Sequence, residues 1–246
     1  MRWLALVLAC GCASAGSQDQ FGGVDGNNQP QPDGQQNPMI DSSMGGMDGS
    51  GSNMPTSHTL TQTTSQTLKA ANTIACGASG TTAANNWYRV FDLPAMGITT
   101  SIAVTQVSFQ VEHCHATANN GCTVAVRVGT YSATPGATLA TANMTILSSN
   151  PTVTIPEIVE SGTTTPGGTV NAPVSATIPA GSKLLVEVDA PDGTGVYAFY
   201  MGSNDGGESG FGYIMAPTCS VSTPTNISTL GTPAPRHLLL TVTATY

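Results

Sequence analysis

From Thr59 to Tyr246 the apolar residues recur at every second position rather than every third or fourth, the period of a pleated strand with one face on a core. Ser101–Glu112 puts Val107, Phe109 and Val111 on one face, and Thr123–Tyr131 turns Val124, Val126 and Val128 inward with Arg127 opposed. Lys183–Ala190 alternates Leu184, Val186 and Val188 against Lys183, Glu187 and Asp189, which this pattern assigns to a solvated face. Trp87–Leu93 sets Trp87, Arg89 and Phe91 on one side and Tyr88, Val90 and Asp92 on the other. Further strands are predicted at Thr59–Thr67, Leu139–Leu147, Thr152–Val159, Thr169–Ile178, Val196–Met201, Tyr213–Met215 and His237–Tyr246, with Ser149-Asn150-Pro151 read as a break. Turn chemistry at Pro179-Ala180-Gly181 and Pro191-Asp192-Gly193 separates neighbouring strands. About ten strands, joined by connections too short for crossover helices, predict an all-β antiparallel β-sandwich of jelly-roll or Greek-key type over residues 59–246.

The first fifty-odd residues follow no such pattern. Met1–Ala15 (MRWLALVLACGCASA) has one positive charge, a short apolar run and small residues around Cys10 and Cys12. That run is far short of the ~20 apolar residues that span a bilayer, and it reads as an export signal. Leu6-Val7-Leu8-Ala9-Cys10 resembles a bacterial lipobox, so Cys10, with Cys12 as the alternative, is expected to carry the lipid. The expectation is a signal and lipobox over residues 1–12 and a lipid anchor to the membrane. Residues 13–58 are rich in Gly, Gln, Asn, Asp and Pro with acidic charge only, so they are expected to form a disordered tether. The methionines at Met39, Met44, Met47 and Met54 are too irregularly spaced to suggest a soft-metal site.

Charge changes the list of partners. Only 8% of residues are charged and the net charge is −8, which excludes the clustered cations that nucleic acid requires. Beyond Cys10 and Cys12 four cysteines remain, an even number suited to two disulfides in an exported chain. Cys114 and Cys122 flank a turn-rich loop and are expected to pair, which leaves Cys76 to pair with Cys219.

Three stretches carry a family likeness: NNWYRVFDLPAMGIT with VTQVSFQVE, then VSATIPAGSKLLVEVDAPDG, then FYMGSNDGGESGFGYIMAPTC. Together they resemble a bacterial extracellular β-sandwich module appended to secreted hydrolases, cell-surface proteins and anchored lipoproteins. The resemblance implies an accessory, non-catalytic role for most of residues 75–246. The chain departs from that pattern at Leu230–His237 and in an insertion at Thr163–Gly168.

Several clusters hold residue types suited to chemistry. His113 and His115 share a strand face and offer a metal pair with His237 as a third ligand, but imidazoles flanking a disulfide cysteine are read first as structural. Asp205 and Glu208, with Asn204 and Asp192, offer oxygens for Ca²⁺ without the spacing of an EF-hand. No cofactor or metal is expected, calcium being the nearest alternative. Ser209 lies in Gly-Glu-Ser-Gly but lacks the second glycine of a nucleophile elbow, so a pairing with His237 for hydrolysis is not expected. Arg89 is read as an arginine covering a core edge, with Asp92 as a candidate pairing partner and Trp87 as a candidate stacking partner. Trp87, Tyr88, Tyr197, Tyr200 and Tyr213 are the candidates for an aromatic ligand surface. The functional expectation is a non-catalytic lipoprotein on the outer membrane or surface of a Gram-negative cell. It would present a binding module to a glycan or an envelope protein, with a structural envelope component as the alternative and a small hydrolase as the second.

Overall fold

The computed structural model describes residues 55–159, 167–231 and 235–246. The export signal, Cys10, Cys12, the four methionines and nearly all of the proposed tether lie outside the described residues, as does most of the insertion. In chain order the strands are β1 (Ser57–Thr61), β2 (Gly77–Ala78), β3 (Thr81–Thr82), β4 (Asn85–Asp92) and β5 (Ile102–Ala116). They continue with β6 (Cys122–Tyr131), β7 (Met144–Ile155), β8 (Gly168–Ile178), β9 (Lys183–Ala190) and β10 (Tyr197–Met201). The last are β11 (Ser203–Asn204), β12 (Gly212–Ala216), β13 (Val221–Asn226), β14 (His237–Leu238) and β15 (Leu240–Thr245).

They build the expected all-β antiparallel sandwich. One sheet has six strands in the order β13-β12-β4-β9-β6-β7. The other has five: β1, β15 and β10 continue to one side of β5, and β8 pairs along its other side. The period-2 alternation explains the core. Trp87 and Phe91 of β4, Val186 and Val188 of β9 and Val124, Val126 and Val128 of β6 share one buried cluster with Val107, Phe109 and Val111 of β5. Each side chain of this kind taken from water contributes roughly 1.5–3 kcal/mol. Trp87 meets Phe199 edge-to-face at 5.6 Å between ring centroids.

Three strand expectations are corrected. Thr59–Thr67 ends as a strand at Thr61, and Thr63 adds only an isolated bridge to Glu208. Leu139–Leu147 and Thr152–Val159 prove to be one strand, β7, which runs through Ser149-Asn150-Pro151. A proline lacks an N–H, but β7 is an edge strand paired to β6 alone, and the register slips there to absorb the extra residue. Leu139 instead lies in the connection before β7.

The third correction concerns the supposedly solvated face of β9. Leu185 is 0% and Glu187 only 7% exposed. A second cluster on this outer face joins Tyr88, Val90, Leu185 and Tyr213 to Tyr131 and Leu139. The connection from β6 to β7 folds back over the sheet to form it: the Tyr213 hydroxyl donates to Gly136 O at 3.0 Å, and Leu139 N donates to Pro224 O at 2.9 Å. β4 and β9 are therefore covered on both faces, which alternation within one strand cannot reveal.

Two disulfides close the domain, Cys76–Cys219 and Cys114–Cys122, in the expected pairing. Asn85 completes the first: its side chain accepts from Cys76 N at 2.7 Å and donates to Cys76 O at 3.0 Å, holding that loop as a neighbouring strand would.

Candidate functional site

Beyond the second cluster the same outer face becomes polar. Register sets this up, because Tyr88 lies opposite Glu187 and Arg127 opposite Glu187 on its other side. Asn86 and Ala125 likewise flank Asp189. Two rows of side chains thus cross three strands, and Glu187 and Asp189 share a face because they are two residues apart. Glu187 Oε1 accepts from Asn86 Nδ2 at 2.9 Å and from the Tyr88 hydroxyl at 3.0 Å. Arg127 reaches the same oxygen with Nη1 at 3.0 Å and gives Nη2 to Asp189 Oδ2 at 2.7 Å.

One guanidinium therefore spans two carboxylates. Burial lowers the pKa of Arg127, but the carboxylates of Glu187 and Asp189 more than reverse this and leave it raised. Burial, reinforced by the Glu187 carboxylate, pushes the Tyr88 phenol far up. Tyr88 is accordingly a fixed hydrogen-bond donor, and the cluster of one cation and two anions carries a net charge of −1. Beside it opens a groove of about 250 Å³, walled by Arg127 and Asp189 and edged by Thr123, Ser149, Pro151 and Pro191.

The candidate aromatic surface does not form a platform. Trp87 is fully buried in the main core and donates its Nε1 to Ile74 O at 3.0 Å. Tyr88 and Tyr213 are buried in the second cluster. Tyr197 is half-buried and its hydroxyl donates to Pro191 O at 2.7 Å, while Tyr200 packs against His113 with centroids 5.3 Å apart. In a chain with so few large residues, aromatics are recruited to fill the interior.

Arg89 does not pair with Asp92, which faces Lys183 at 3.8 Å. Its fully buried side chain donates to Glu208 Oε2 at 2.9 Å, to Leu238 O at 3.2 and 2.8 Å, to Gly210 O at 2.7 Å and to Gln62 Oε1 at 3.2 Å. Burial lowers the Arg89 pKa and the Glu208 carboxylate works against that. His237 Nδ1 stands 3.2 Å from the other Glu208 oxygen.

The candidate metal and catalytic sets come apart accordingly. Glu208 is committed to Arg89 and His237, Asp205 pairs with Lys69, and Asp192 accepts from Thr194. These oxygens do not converge as a Ca²⁺ site. His237 is not brought to His113 and His115 as a third ligand. The Ser209 hydroxyl turns to Gln62 O at 3.5 Å rather than to His237. Alternation within β9 hid the cluster at Asn86, Tyr88, Arg127, Glu187 and Asp189. The available signal was an arginine and two acids each placed opposite the apolar face of its own strand.

No family model matches the chain, and no curated protein matches it by sequence. Among solved structures it is similar to a clostridial cysteine protease, Cwp84, after propeptide cleavage, with a TM-score of 0.48 and 15% identity over 77% of this chain and 40% of that one. It is also similar to the cysteine protease and lectin-like domains of Cwp84, a surface layer associated protein of Clostridium difficile. There the TM-score is 0.43 and the identity 16%, over 67% of this chain and 32% of that one. The chain spans about a third to two fifths of those chains.

Proposed function

We propose that this chain is an exported, non-catalytic binding module that recognises a hydroxyl-rich ligand, a glycan of the cell envelope or its surroundings, on the outer face of the six-stranded sheet. The observation that carries this reading is Arg127 clamped between Glu187 and Asp189 at the mouth of the groove. Vicinal hydroxyls of a sugar each donate and accept, which suits carboxylate acceptors beside a guanidinium donor, with the rings of Pro151 and Pro191 as apolar walls. The net negative cluster, in a chain of net charge −8, favours a neutral or cationic glycan over a polyanionic one. Export through the Met1–Ala15 signal, with the lipid on Cys10, would place the module at the cell surface.

The test is retention of the full chain, disulfides oxidised, on insoluble polysaccharides and on envelope fractions. The native chain is expected to be retained on at least one neutral glycan, and Arg127→Ala and Asp189→Asn are expected to lose that retention. Arg127 is about a third exposed but neutralises the buried Glu187, which keeps Asn86 and Tyr88 as donors when the guanidinium is removed. The unfolding midpoint of each variant is therefore measured, and lost retention in a variant that remains folded isolates the binding role. Native protein retained on no glycan would overturn the reading and favour a structural envelope component.

A further inference from the structure

We infer that Asn120 is a self-modifying site: the backbone nitrogen of Gly121 attacks its side-chain amide, Glu157 takes the proton, and an aspartyl or isoaspartyl residue results. The site lies apart from the groove and does not depend on the reading given to it. Asn120-Gly121 is the one Asn-Gly pair in the chain, and Asn120 is exposed in the loop between β5 and β6. Glycine is obligatory after it. Gly121 has a φ of +76°, and a Cβ built on it would stand 2.0 Å from Ile155 O. The same missing side chain leaves the Gly121 nitrogen unscreened, so nothing hinders its approach to the Asn120 Cγ. Close packing against Ile155 thus gives an exposed asparagine, a thermolabile residue, its most reactive successor.

The tertiary structure adds a base to this pair. Reciprocal bonds pin the chain after β7 to β5, Cys114 N to Ile158 O at 2.9 Å and Ile158 N to Cys114 O at 2.8 Å. That brings the Glu157 carboxylate to the loop, where one oxygen meets His115 Nδ1. The other accepts from Gly121 N at 3.2 Å and from Ala116 N at 3.4 Å. A general base must lie within hydrogen-bond reach of the proton it takes, and Glu157 Oε2 already accepts the hydrogen bond of that proton. In the first step Gly121 N gives its proton to Glu157 Oε2 and bonds to the Asn120 Cγ. The bond from Cγ to the amide nitrogen breaks, and ammonia leaves with the proton returned by Glu157. Water then opens the five-membered imide at either carbonyl. The aspartyl product adds a negative charge to the loop. The isoaspartyl product routes the backbone through the side chain, which lengthens a loop closed by Cys114–Cys122 and displaces Gly121 from its close fit on Ile155. Gly193 N, in the comparable Asp192-Gly193 turn, is given instead to Thr82 O at 2.9 Å, a carbonyl that cannot act as a base.

The test follows the full chain, disulfides oxidised, through days at neutral pH by peptide-mapping mass spectrometry. Asn120 is expected to show the mass gain of an amide turned to an acid, while Asn119 in the same peptide, which no glycine follows, does not. Conversion should be faster in the folded chain than in the chain unfolded in urea with its disulfides intact. Glu157→Gln should slow it by about 100-fold, the low end of what a positioned base supplies. Glutamine keeps an oxygen for Gly121 N but takes no proton, and a thermal melt matching the native chain shows that the variant folds. Conversion no faster in the folded chain than in urea, or equal conversion at Asn119, overturns the inference. Equal or faster conversion in folded Glu157→Gln overturns the role of the base.

Discussion

Arg89 holds a positive charge inside the sandwich with every N–H of its fork engaged, and its acidic partner is 119 residues away in sequence. Taking such a charge out of water is costly unless each donor is met. Removing it strands Glu208, together with the carbonyls of Leu238 and Gly210. Arg89→Met is therefore expected to lower stability by roughly 3–5 kcal/mol in a urea titration, more than Arg127→Ala, whose guanidinium is about a third exposed. Alternation placed Arg89 on the Trp87 face correctly. Its partner was not legible, because Gly207–Phe211 carries no period and its backbone reaches Arg89 only after β12 has docked on β4.

At the level of elements, strand extents were readable wherever an apolar face drove them. β9 runs over Lys183–Ala190 as its alternation predicts, and β5, β6 and β8 lie within a few residues of their patterns. What covers the second face of a strand was not readable. The β6–β7 connection does that job, and the tyrosines covered there, together with Tyr197 beside the main core, carry a pH signature. Burial pushes Tyr213 up to about 12 and Tyr197 likewise to about 12, and Tyr88 goes further still. The unfolded chain releases these protons near pH 10 while the folded protein retains them, so unfolding becomes more favourable as pH rises from 10 through 12. Stability is expected to be independent of these groups below about pH 10 and to fall steeply above it. Of the six tyrosines, these three should contribute phenolate absorbance only as near-ultraviolet circular dichroism is lost, and ionisation of all six near pH 10 in the folded state would contradict the packing.

At the scale of the molecule, the two disulfides should differ in worth. Cys76–Cys219 closes a separation of 143 residues and Cys114–Cys122 one of 8. Chain-entropy reasoning gives about 5 kcal/mol for the first and about 2.5 kcal/mol for the second. Cys76→Ser/Cys219→Ser is accordingly expected to shift the denaturation midpoint about twice as far as Cys114→Ser/Cys122→Ser, and equal shifts would sink the entropic account. The long bond ties the loop ahead of β2 to the β12–β13 turn at one edge of the six-stranded sheet. The short one braces the end of β5 next to the His113–His115 pair.

By itself the sequence determined the class of fold and which residues share a strand face, and it favoured one of three cysteine pairings, since alternation is local and a short turn-rich loop lies between Cys114 and Cys122. Tertiary structure alone decided which aromatics go inside and that Glu187 and Asp189 meet Arg127 beside a groove. It also decided that Glu208 neutralises Arg89 and that Glu157 reaches His115. Each of those outcomes depends on register between strands distant in the chain, or on a connection folding over a sheet. A period of two within one strand contains no information about either.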